Sequence, residues 1–381
     1  MNTTAEAAPD DSLPALFTPF TLRGVTFPNR IVVSAMCQYS AEDGFVNDWH
    51  RAHHGRFALG GVGGAVLEAS GVTRDGRITP GCLGIYLDEH IEGLRSVADI
   101  YHRQGRPVGI QLAHAGRKGS AAEPTRGAAP LIDGHADEAW EAVAPSAIPL
   151  TPEWPAPRAL DAEEVEAHIE AFAQAARRAV EAGFDFVEIH GAHGYLIHSF
   201  LTTLSNQRSD AWGGDFEARM SFPLAVARAV REVVGEEFPV FYRTSSEDGV
   251  EGGMTLEDTV TLARALTMAG VDLVDCSSGG ITGASGRASV PPSPGYLVPY
   301  ARRVREEAGV PTMAVGMITR ASQANEVIAN GDADLVAMAR GLVSNPNFPY
   351  HAAVALGHPA PHELMPDQYA WFLKRWRPEA V

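Results

Sequence analysis

The feature that most constrains the fold of this chain is a recurring unit in which a helical stretch ends on a glycine and a short apolar run follows. Glycine is the residue that most readily adopts the left-handed conformation at the end of a helix. An uninterrupted apolar run is typical of a strand that is buried on both faces. The unit recurs at the glycines Gly105, Gly183, Gly270, Gly309 and Gly331, and in looser form at Gly63 and Gly235.

Together with a first apolar run at Ile31–Val33, the repeat predicts eight strands. They cover residues 31–33, 65–68, 108–112, 184–189, 239–242, 271–275, 311–315 and 334–338. Capping-box patterns at Asp161 and Thr255 mark the starts of two of the intervening helices. The first of these helices has apolar residues at helical spacing, from Val165 to Val180. Eight strands that alternate with helices in 381 residues predict a closed parallel barrel of the α/β class, the (β/α)8 or TIM barrel. An open doubly wound sheet is the alternative at this stage.

The same pattern gives the domain organisation. No linker rich in Gly and Ser or in Pro divides the repeats, so we predict one barrel domain over residues 13–357. Residues 20–26, in which Gly24 separates two short apolar pairs, predict a hairpin that closes the floor of the barrel. We expect residues 1–12 to be a disordered N-terminal tail and residues 358–381 to be a C-terminal tail.

Charge and composition limit the classes of partner. A net charge of −17 and the absence of a basic run argue against nucleic acid, since phosphate binding needs a basic patch. The N-terminal residues are small and acidic, and neither a secretion signal nor a membrane span is evident. The three cysteines lack paired spacing, which predicts neither a disulfide framework nor a Cys-x-x-Cys metal site. We therefore expect a cytoplasmic protein.

The reactive groups of such barrels lie in the loops that follow the strands. His190, His193 and Tyr195 follow the fourth strand. Two imidazoles three positions apart on a turn can converge on one acceptor, such as a carbonyl oxygen. The phenol, with a reference pKa near ~10, can donate a proton at neutral pH. These residues predict a reaction site at the end of this strand.

Two other interpretations of the histidine pair remain open on the sequence alone. The pair could be structural, or it could bind a metal ion. A metal-dependent hydrolase on the same barrel would draw its further ligands from His50, His53 and His54.

Polar residues after other strands predict a nucleotide-like ligand. Gly316 follows the seventh strand and Arg340 the eighth, which is where such barrels commonly hold a phosphate. Gln111 and Arg243 suit the edge of a planar, polar heterocycle. A cation there would stabilise a ring that becomes anionic on two-electron reduction. Flavin mononucleotide (FMN) meets both requirements.

With these motifs, the chain resembles the Old Yellow Enzyme family of FMN-dependent ene-reductases. The resemblance is to the branch that carries a cysteine after the first strand, the xenobiotic-reductase-like or thermophilic-like group. It extends from about residue 16 to residue 348. The segments that carry it are PNRI (28–31), MCQY (36–39), DGRIT (75–79), QLAHAGRK (111–118), HGAHGYL (190–196), SNQRSD (205–210), EGGMT (251–255) and AVGMI (314–318).

The resemblance implies a role for each of these residues. Contacts to FMN would come from Ser34, Ala35, Met36, Cys37, Ala69, Gln111, Arg243, Gly316, Met317, Ala339 and Arg340. Cys37 would lie near the reactive nitrogen of the central ring and tune its potential. His190 and His193 would bind the carbonyl of an α,β-unsaturated substrate. Tyr39 would position that substrate, and Tyr195 would protonate it.

The implied reaction is the reduction of the substrate's C=C bond in a ping-pong cycle, with NADPH or NADH as the reductant. A homodimer or homotetramer is suggested by the resemblance alone. Relatives often extend a C-terminal arginine into a neighbouring subunit, whereas here Gln368-Tyr369 is followed by Ala370-Trp371-Phe372. A non-catalytic flavin-binding protein is a further alternative, because it would need the cofactor contacts without Tyr195.

Overall fold

Eight parallel strands close into a barrel in this protein. A computed structural model describes residues 12–132, 139–282 and 291–376, so the tail predicted over residues 1–12 lies outside these ranges except for its last residue. The strands, in chain order, are β1 (Phe20–Leu22), β2 (Val25–Phe27), β3 (Ile31–Val33), β4 (Gly64–Gly71), β5 (Val108–Ala113), β6 (Val143–Ala144), β7 (Arg158–Ala159), β8 (Phe186–Gly191), β9 (Val240–Ser245), β10 (Leu273–Ser277), β11 (Thr312–Ala314) and β12 (Leu335–Met338).

The barrel follows the order of the chain. It runs β3, β4, β5, β8, β9, β10, β11, β12 and closes from β12 back to β3, with every neighbouring pair parallel. Each of the eight predicted strands is present, so the prediction of a TIM barrel is confirmed and the doubly wound alternative is wrong. The short pair β6 and β7 forms a separate sheet in the long connection between β5 and α3 (Ala162–Ala182).

Helices alternate with the barrel strands. They are α1 (Asp48–Ala58), α2 (His90–His102), α3 (Ala162–Ala182), α4 (Leu196–Leu201), α5 (Phe216–Val234), α6 (Leu256–Met268), α7 (Val298–Ala308), α8 (Ala321–Ala329), α9 (Arg340–Ser344), α10 (Phe348–Ala355) and α11 (Asp367–Leu373). Short 3-10 turns occur at Ala15–Phe17, Gly116–Lys118, Pro124–Arg126 and Pro361–Leu364. Within the described ranges, none of these helices combines the length and the apolar character needed to cross a membrane.

The capping residues and the glycines of the repeat have the conformations that the sequence predicts. The side chains of Asp161 and Thr255 accept the backbone N–H three residues on, in reciprocal capping boxes. The five glycines of the clear repeats all have positive φ, from 64° at Gly105 to 100° at Gly270. One detail differs, because Val180 has the helical spacing of a core residue but is 42% exposed near the C-terminal end of α3.

The hairpin of β1 and β2 closes the floor of the barrel, as predicted. The two strands are antiparallel, and the N–H of Gly24 in their turn donates to the Glu237 carbonyl just before β9 at 3.2 Å. Phe27 is fully buried and packs against Phe186 and Phe241, with ring centroids at 5.6 and 6.2 Å. These rings fill the lower interior, so the polar side chains of the barrel are confined to its opposite end.

Candidate active site

The turn after β8 brings together the groups predicted to react. His190 is the second-last residue of the strand, and His193 lies three residues on with φ of 59°. Gly194 follows with φ of 75°, and a Cβ there would lie 2.4 Å from the Gly280 oxygen, so the turn requires glycine. The two left-handed residues reverse the chain. As a result the imidazole centroids lie 5.2 Å apart with their planes at 89°.

Hydrogen bonds leave one ring nitrogen uncommitted in each histidine. The Ala192 N–H donates to Nδ1 of His190 at 3.3 Å, so a neutral ring carries its proton on Nε2. In His193, Nε2 is bonded to the Ser277 hydroxyl at 2.7 Å, which leaves Nδ1. Burial, followed by the charge of Arg243, lowers the pKa of both rings well below the usual value. Both histidines are therefore neutral near pH 7.

Three polar atoms of this turn face open space. No described residue forms a hydrogen bond with His190 Nε2, His193 Nδ1 or the Tyr195 hydroxyl. None of these three atoms is completely buried. The Tyr195 ring lies 4.9 Å from that of His190. Burial raises the pKa of Tyr195 well above its ordinary value, so the phenol keeps its proton. The turn thus presents two neutral imidazoles and one proton donor to the same space.

Neighbouring strands fix the position of His193. Its backbone N–H donates to the Ser245 hydroxyl at 2.9 Å, and its carbonyl accepts from Lys118 Nζ at 2.8 Å. The Lys118 ammonium also lies 5.2 Å from the centroid of the Tyr195 ring. Lys118, Ser245 and Ser277 were missed by the sequence analysis, because no local pattern links these residues to a histidine so far away in the chain.

Strand register brings Gln111 and Arg243 to the same end of the barrel. Gln111 pairs with Glu188 across β5 and β8, and Arg243 pairs with His190 across β8 and β9. The Gln111 amide N–H donates to Glu188 at 2.7 Å, which turns its Oε1 outward. Arg243 Nη1 donates to the Ser34 hydroxyl at 3.1 Å, and Nη2 remains uncommitted. One acceptor and one charged donor are therefore available together.

Two buried acids support these residues. Arg243 Nε lies 3.3 Å from Asp275, which pairs with it in register across β9 and β10. Burial, followed by the neighbouring Asp275, raises the pKa of Glu188 to about 8, and burial also raises the pKa of Asp275. Apart from the Arg243 guanidinium beside Asp275, no donor among the described residues serves Asp275 or the second oxygen of Glu188, so we infer that the two acids share one proton. The sequence signal, an acid inside an apolar strand, was present but not used.

The loop after β3 brings Cys37, Tyr39 and Ala69 together. The thiol of Cys37 contacts the backbone of Ala69 on β4 and the hydroxyl of Tyr39. Tyr39 has φ of 51°, and burial raises its pKa above the ordinary range. Ala35 and Met36 are partly buried against the core of the barrel. All of these predicted residues therefore lie at the rim next to the β8 turn.

The loops after β11 and β12 are adjacent, because these strands are neighbours in the barrel. Gly316 has φ of 116°, and a Cβ there would be 3.1 Å from Leu297. Met317 also has positive φ, 52°, and is 39% exposed. Ala339 precedes α9, and the exposed guanidinium of Arg340 forms no ion pair with any described residue. A narrow backbone cradle and an available cation thus lie where a phosphate was predicted.

The ligand set of the hydrolase alternative is not assembled in the described part of the chain. His50, His53 and His54 lie on α1, and His54 bonds instead to the Tyr101 hydroxyl at 3.0 Å. Across residues 12–132, 139–282 and 291–376, no three His, Cys, Asp or Glu side chains are arranged to hold a metal ion.

Comparison with known proteins decides the family. Residues 15–357 match the NADH:flavin oxidoreductase / NADH oxidase family. The chain belongs to this family. It is 46% identical, over 344 residues, to an NADPH dehydrogenase of Geobacillus sp. (strain WCH70), covering 90% of this chain and 94% of that protein. The resemblance to the Old Yellow Enzymes is confirmed, and the protein is an FMN-dependent NAD(P)H oxidoreductase.

Solved structures of this family share the fold. Morphinone reductase is 27% identical with a TM-score of 0.75, covering 90% of both chains. A second structure of morphinone reductase, in complex with tetrahydroNAD, has a TM-score of 0.74. A 2-naphthoyl-CoA reductase in complex with 2-naphthoyl-CoA is 26% identical with a TM-score of 0.80 over 91% of this chain. This chain spans about half of that reductase, 53% of its length.

The residues at the rim fit the FMN of this family. Gln111 Oε1 can accept the N–H of the pyrimidine ring, and Arg243 Nη2 can donate to a ring carbonyl. The cradle at Gly316 and the unpaired Arg340 suit the phosphate.

Proposed function

We propose that this oxidoreductase reduces the C=C bond of α,β-unsaturated carbonyl compounds. The observation that carries the proposal is the β8 turn, where His190 Nε2, His193 Nδ1 and the Tyr195 hydroxyl face the same open space. Two neutral N–H donors suit a carbonyl oxygen, and a protonated phenol suits the carbon beside it. Bound FMN would supply the two-electron chemistry, taking hydride from NAD(P)H and giving it to the β-carbon.

The histidines act on the carbonyl oxygen. Hydrogen bonds from His190 Nε2 and His193 Nδ1 polarise the enone and strengthen as negative charge develops on the oxygen. Because both rings are neutral near pH 7, they bind the carbonyl as dipoles and do not protonate it in the ground state. The rim thus favours the transition state over the bound enone.

Ser277 selects the tautomer of His193. The His193 Nε2 and the Ser277 hydroxyl lie 2.7 Å apart. When the hydroxyl donates, Nε2 carries no proton and Nδ1 must carry it, which makes Nδ1 the donor that the carbonyl requires. Ser277 is therefore a positioning residue that acts through His193.

Tyr195 completes the addition by protonating the α-carbon as a general acid. Its phenolate would form with the Lys118 ammonium 5.2 Å from the ring centroid, and that charge stabilises the anion. Tyr39, in the loop after β3, positions the substrate. NAD(P)H and the enone would occupy the same space in turn, which gives ping-pong kinetics.

We assign the FMN contacts to the rim residues in three groups. Gln111 and Arg243 hold the pyrimidine ring, with Glu188 and Asp275 as their supports. The loop after β3 and the adjacent strand face the ring plane through Ser34, Ala35, Met36, Cys37 and Ala69. The phosphate arm is held by Gly316, Met317, Ala339 and Arg340.

Exposed aromatic residues on α11 support a homo-oligomer. Trp371 and Phe372 are 58% and 68% exposed, and α11 has no buried residue. We propose that these rings pack on a second copy of the chain, as a homodimer or homotetramer, close to its active site. Deleting residues 367–381 would then lower the mass in solution and change the KM for a bulky enone. An unchanged mass and unchanged kinetics would refute this part of the proposal.

Anaerobic spectroscopy tests the main proposal. We expect the purified protein to be yellow, to bleach when NADPH or NADH is added, and to regain its colour when cyclohexenone follows. Tyr195→Phe should bleach normally but turn over cyclohexenone at least ~10²-fold more slowly, since general acid catalysis contributes about that much. Tyr350→Phe on α10 is the matched control and should behave as wild type. Normal turnover by Tyr195→Phe would exclude Tyr195 as the proton donor. A wild-type protein that binds FMN but does not turn over cyclohexenone would favour a flavin-binding protein without this chemistry.

A further inference from the structure

Two of the three cysteines lie against each other beside the proposed active site. Cys37 is in the loop after β3, and Cys82 is in the segment between β4 and α2. Their side chains contact each other directly, so each thiol is the hydrogen-bond partner of the other. Cys82 is 1% exposed, whereas Cys37 is only partly buried, so a small molecule in the opening approaches the pair from the Cys37 side.

The backbone holds these two segments side by side. The Ala41 N–H donates to the Gly81 carbonyl at 2.9 Å, and the Gly84 N–H donates to Gly44 at 3.0 Å. A Cβ on Gly81 would lie 2.7 Å from the Tyr39 oxygen, so the approach is as close as glycine allows. The fold therefore holds the two cysteine-bearing segments side by side.

The surroundings of Cys82 favour a thiolate. Its sulfur lies 3.4 Å from the Thr79 N–H and 3.5 Å from the Thr79 hydroxyl. Burial opposes ionisation of this thiol, but hydrogen bonds from Cys37 and Thr79 outweigh it and lower the pKa of Cys82 to about 7. The hydrogen bond to Cys82, followed by burial, raises the pKa of Cys37, so the negative charge of the pair forms on Cys82, and thiolate is the reactive form.

We propose that Cys37 and Cys82 are an oxidation site, at which a hydroperoxide converts the two thiols into an intramolecular disulfide. The thiolate of the pair attacks the peroxide oxygen, an S–O bond forms, the O–O bond breaks and the leaving oxygen departs as water or alcohol. The second sulfur then attacks the sulfenic sulfur, the S–S bond forms and the S–O bond breaks to release water. The pair loses two electrons and two protons, and the peroxide gains both.

The disulfide would change the proposed active site, and this consequence rests on the proposed function. In the reduced protein the Cys37 thiol contacts the Tyr39 hydroxyl. A bond to Cys82 removes the thiol proton and holds the sulfur away from the substrate space. Enone turnover should then fall on oxidation and return with a dithiol reductant.

Mass spectrometry of the full chain tests the oxidation site without cofactor or substrate. After hydrogen peroxide, denaturation and alkylation, we expect the number of free thiols to fall from three to one. Trypsin should give a linked pair of peptides, residues 31–51 and 78–95, that dithiothreitol separates. Cys276, whose buried thiol lies 3.7 Å from the Val274 carbonyl on β10, should remain alkylatable. The variant Cys276→Ser is the matched control and should form the same link.

Other results of the same experiment would contradict the proposed disulfide. If peroxide oxidises Cys37 to the sulfinic acid while Cys82 stays alkylatable, or if no link forms at all, the proposal is overturned. The variant Cys82→Ser should yield only the over-oxidised Cys37, and its lost turnover should not return with dithiothreitol. Should that variant fail to fold, the wild-type peptide map decides alone. A disulfide that leaves enone turnover unchanged would overturn the consequence, while a protein without any enone turnover would instead contradict the proposed function.

Discussion

The two ends of the barrel are built from the same strands but contain opposite kinds of side chain, apolar at the floor and polar at the rim. At the floor, β8 and β9 contribute Phe186 and Phe241, which stack with centroids 4.5 Å apart and are fully buried. A few residues further along, the same strands contribute His190 and Arg243, which pair in register at the rim. The rings at the floor are apolar and need no hydrogen-bond partner. The rim keeps polar atoms that the described residues do not satisfy.

This difference indicates that the floor of the barrel supplies stability and the rim supplies the groups for chemistry. Aromatic burial at the floor contributes to the free energy of unfolding, which each substitution there should lower. The uncommitted atoms of the rim contribute little to that free energy and are available for a cofactor or substrate. Substitutions at the two ends should therefore separate stability from activity, and each experiment below tests that separation.

The largest effect is expected at the floor. Phe241→Ala removes a ring that packs against Phe27 and Phe186, and should lower the free energy of unfolding by about 3–5 kcal/mol. Urea denaturation measures the loss, and Phe241→Leu should show a clearly smaller one. A loss no greater than that of a surface substitution would show that the floor does not carry the stability.

The largest effect at the rim is expected for His190→Ala. This variant loses one donor to the carbonyl oxygen, so kcat/KM for cyclohexenone should fall by roughly 10²–10³-fold. The urea midpoint should stay close to that of wild type. The same change at the exposed His351 on α10 is the control and should leave both quantities unchanged. A large loss of stability in His190→Ala would contradict the separation of the two ends.

A third prediction concerns acid, and it tests buried histidines that the proposed reaction does not use. Burial lowers the pKa of His50 and His53 to about 4, and that of His114 to about 3, from 6.5. The unfolded chain takes up these protons first, so this contribution to stability is complete above pH 6.5 and is lost as pH falls towards 4.

Denaturation at pH 7 and pH 5 measures this effect. We expect each of these histidines to lower the free energy of unfolding by on the order of 2 kcal/mol between the two values. Acidic groups also titrate in this range, so the variant His53→Gln isolates one histidine and should lose less stability than wild type. Equal losses in the two proteins would exclude His53 from the effect.

The smallest effect is expected for Ser277→Ala. Without the hydroxyl 2.7 Å from Nε2, His193 can place its proton on either nitrogen, and kcat for cyclohexenone should fall by about tenfold, or about 1.4 kcal/mol. Ser277→Thr keeps a hydroxyl and should restore most of the activity with the same pH profile. If both variants behave as wild type, Ser277 has no role in selecting the tautomer.

Much of the fold could be predicted because its signals are local. Glycine at the ends of helices and apolar runs within strands depend on nearby residues alone, and all eight strands were located in this way. The spacing of His190, His193 and Tyr195 also marks the reactive turn, because a strand end fixes where the following residues lie. Val180 is the exception within α3, since its exposure depends on what packs there and not on its helical spacing.

The contacts that position the site residues could not be predicted in the same way. Glu188 and Asp275 are 87 positions apart in the chain, and only the closure of the barrel brings them into contact. The contacts of Ser277 with His193, and of Cys82 with Cys37, likewise join separate βα units. Pairings of this kind depend on register and on loop paths, which no local pattern encodes.

The sequence by itself determined the barrel, the rim on which the reactive groups lie and the identity of those groups. Only the tertiary structure decided which nitrogen of each imidazole faces the open space, which acids share a proton and which thiols touch. The physical reason is that strand and turn propensities act over a few residues. Tautomers, pKa shifts and sulfur contacts are set instead by neighbours that the closed barrel brings from distant parts of the chain.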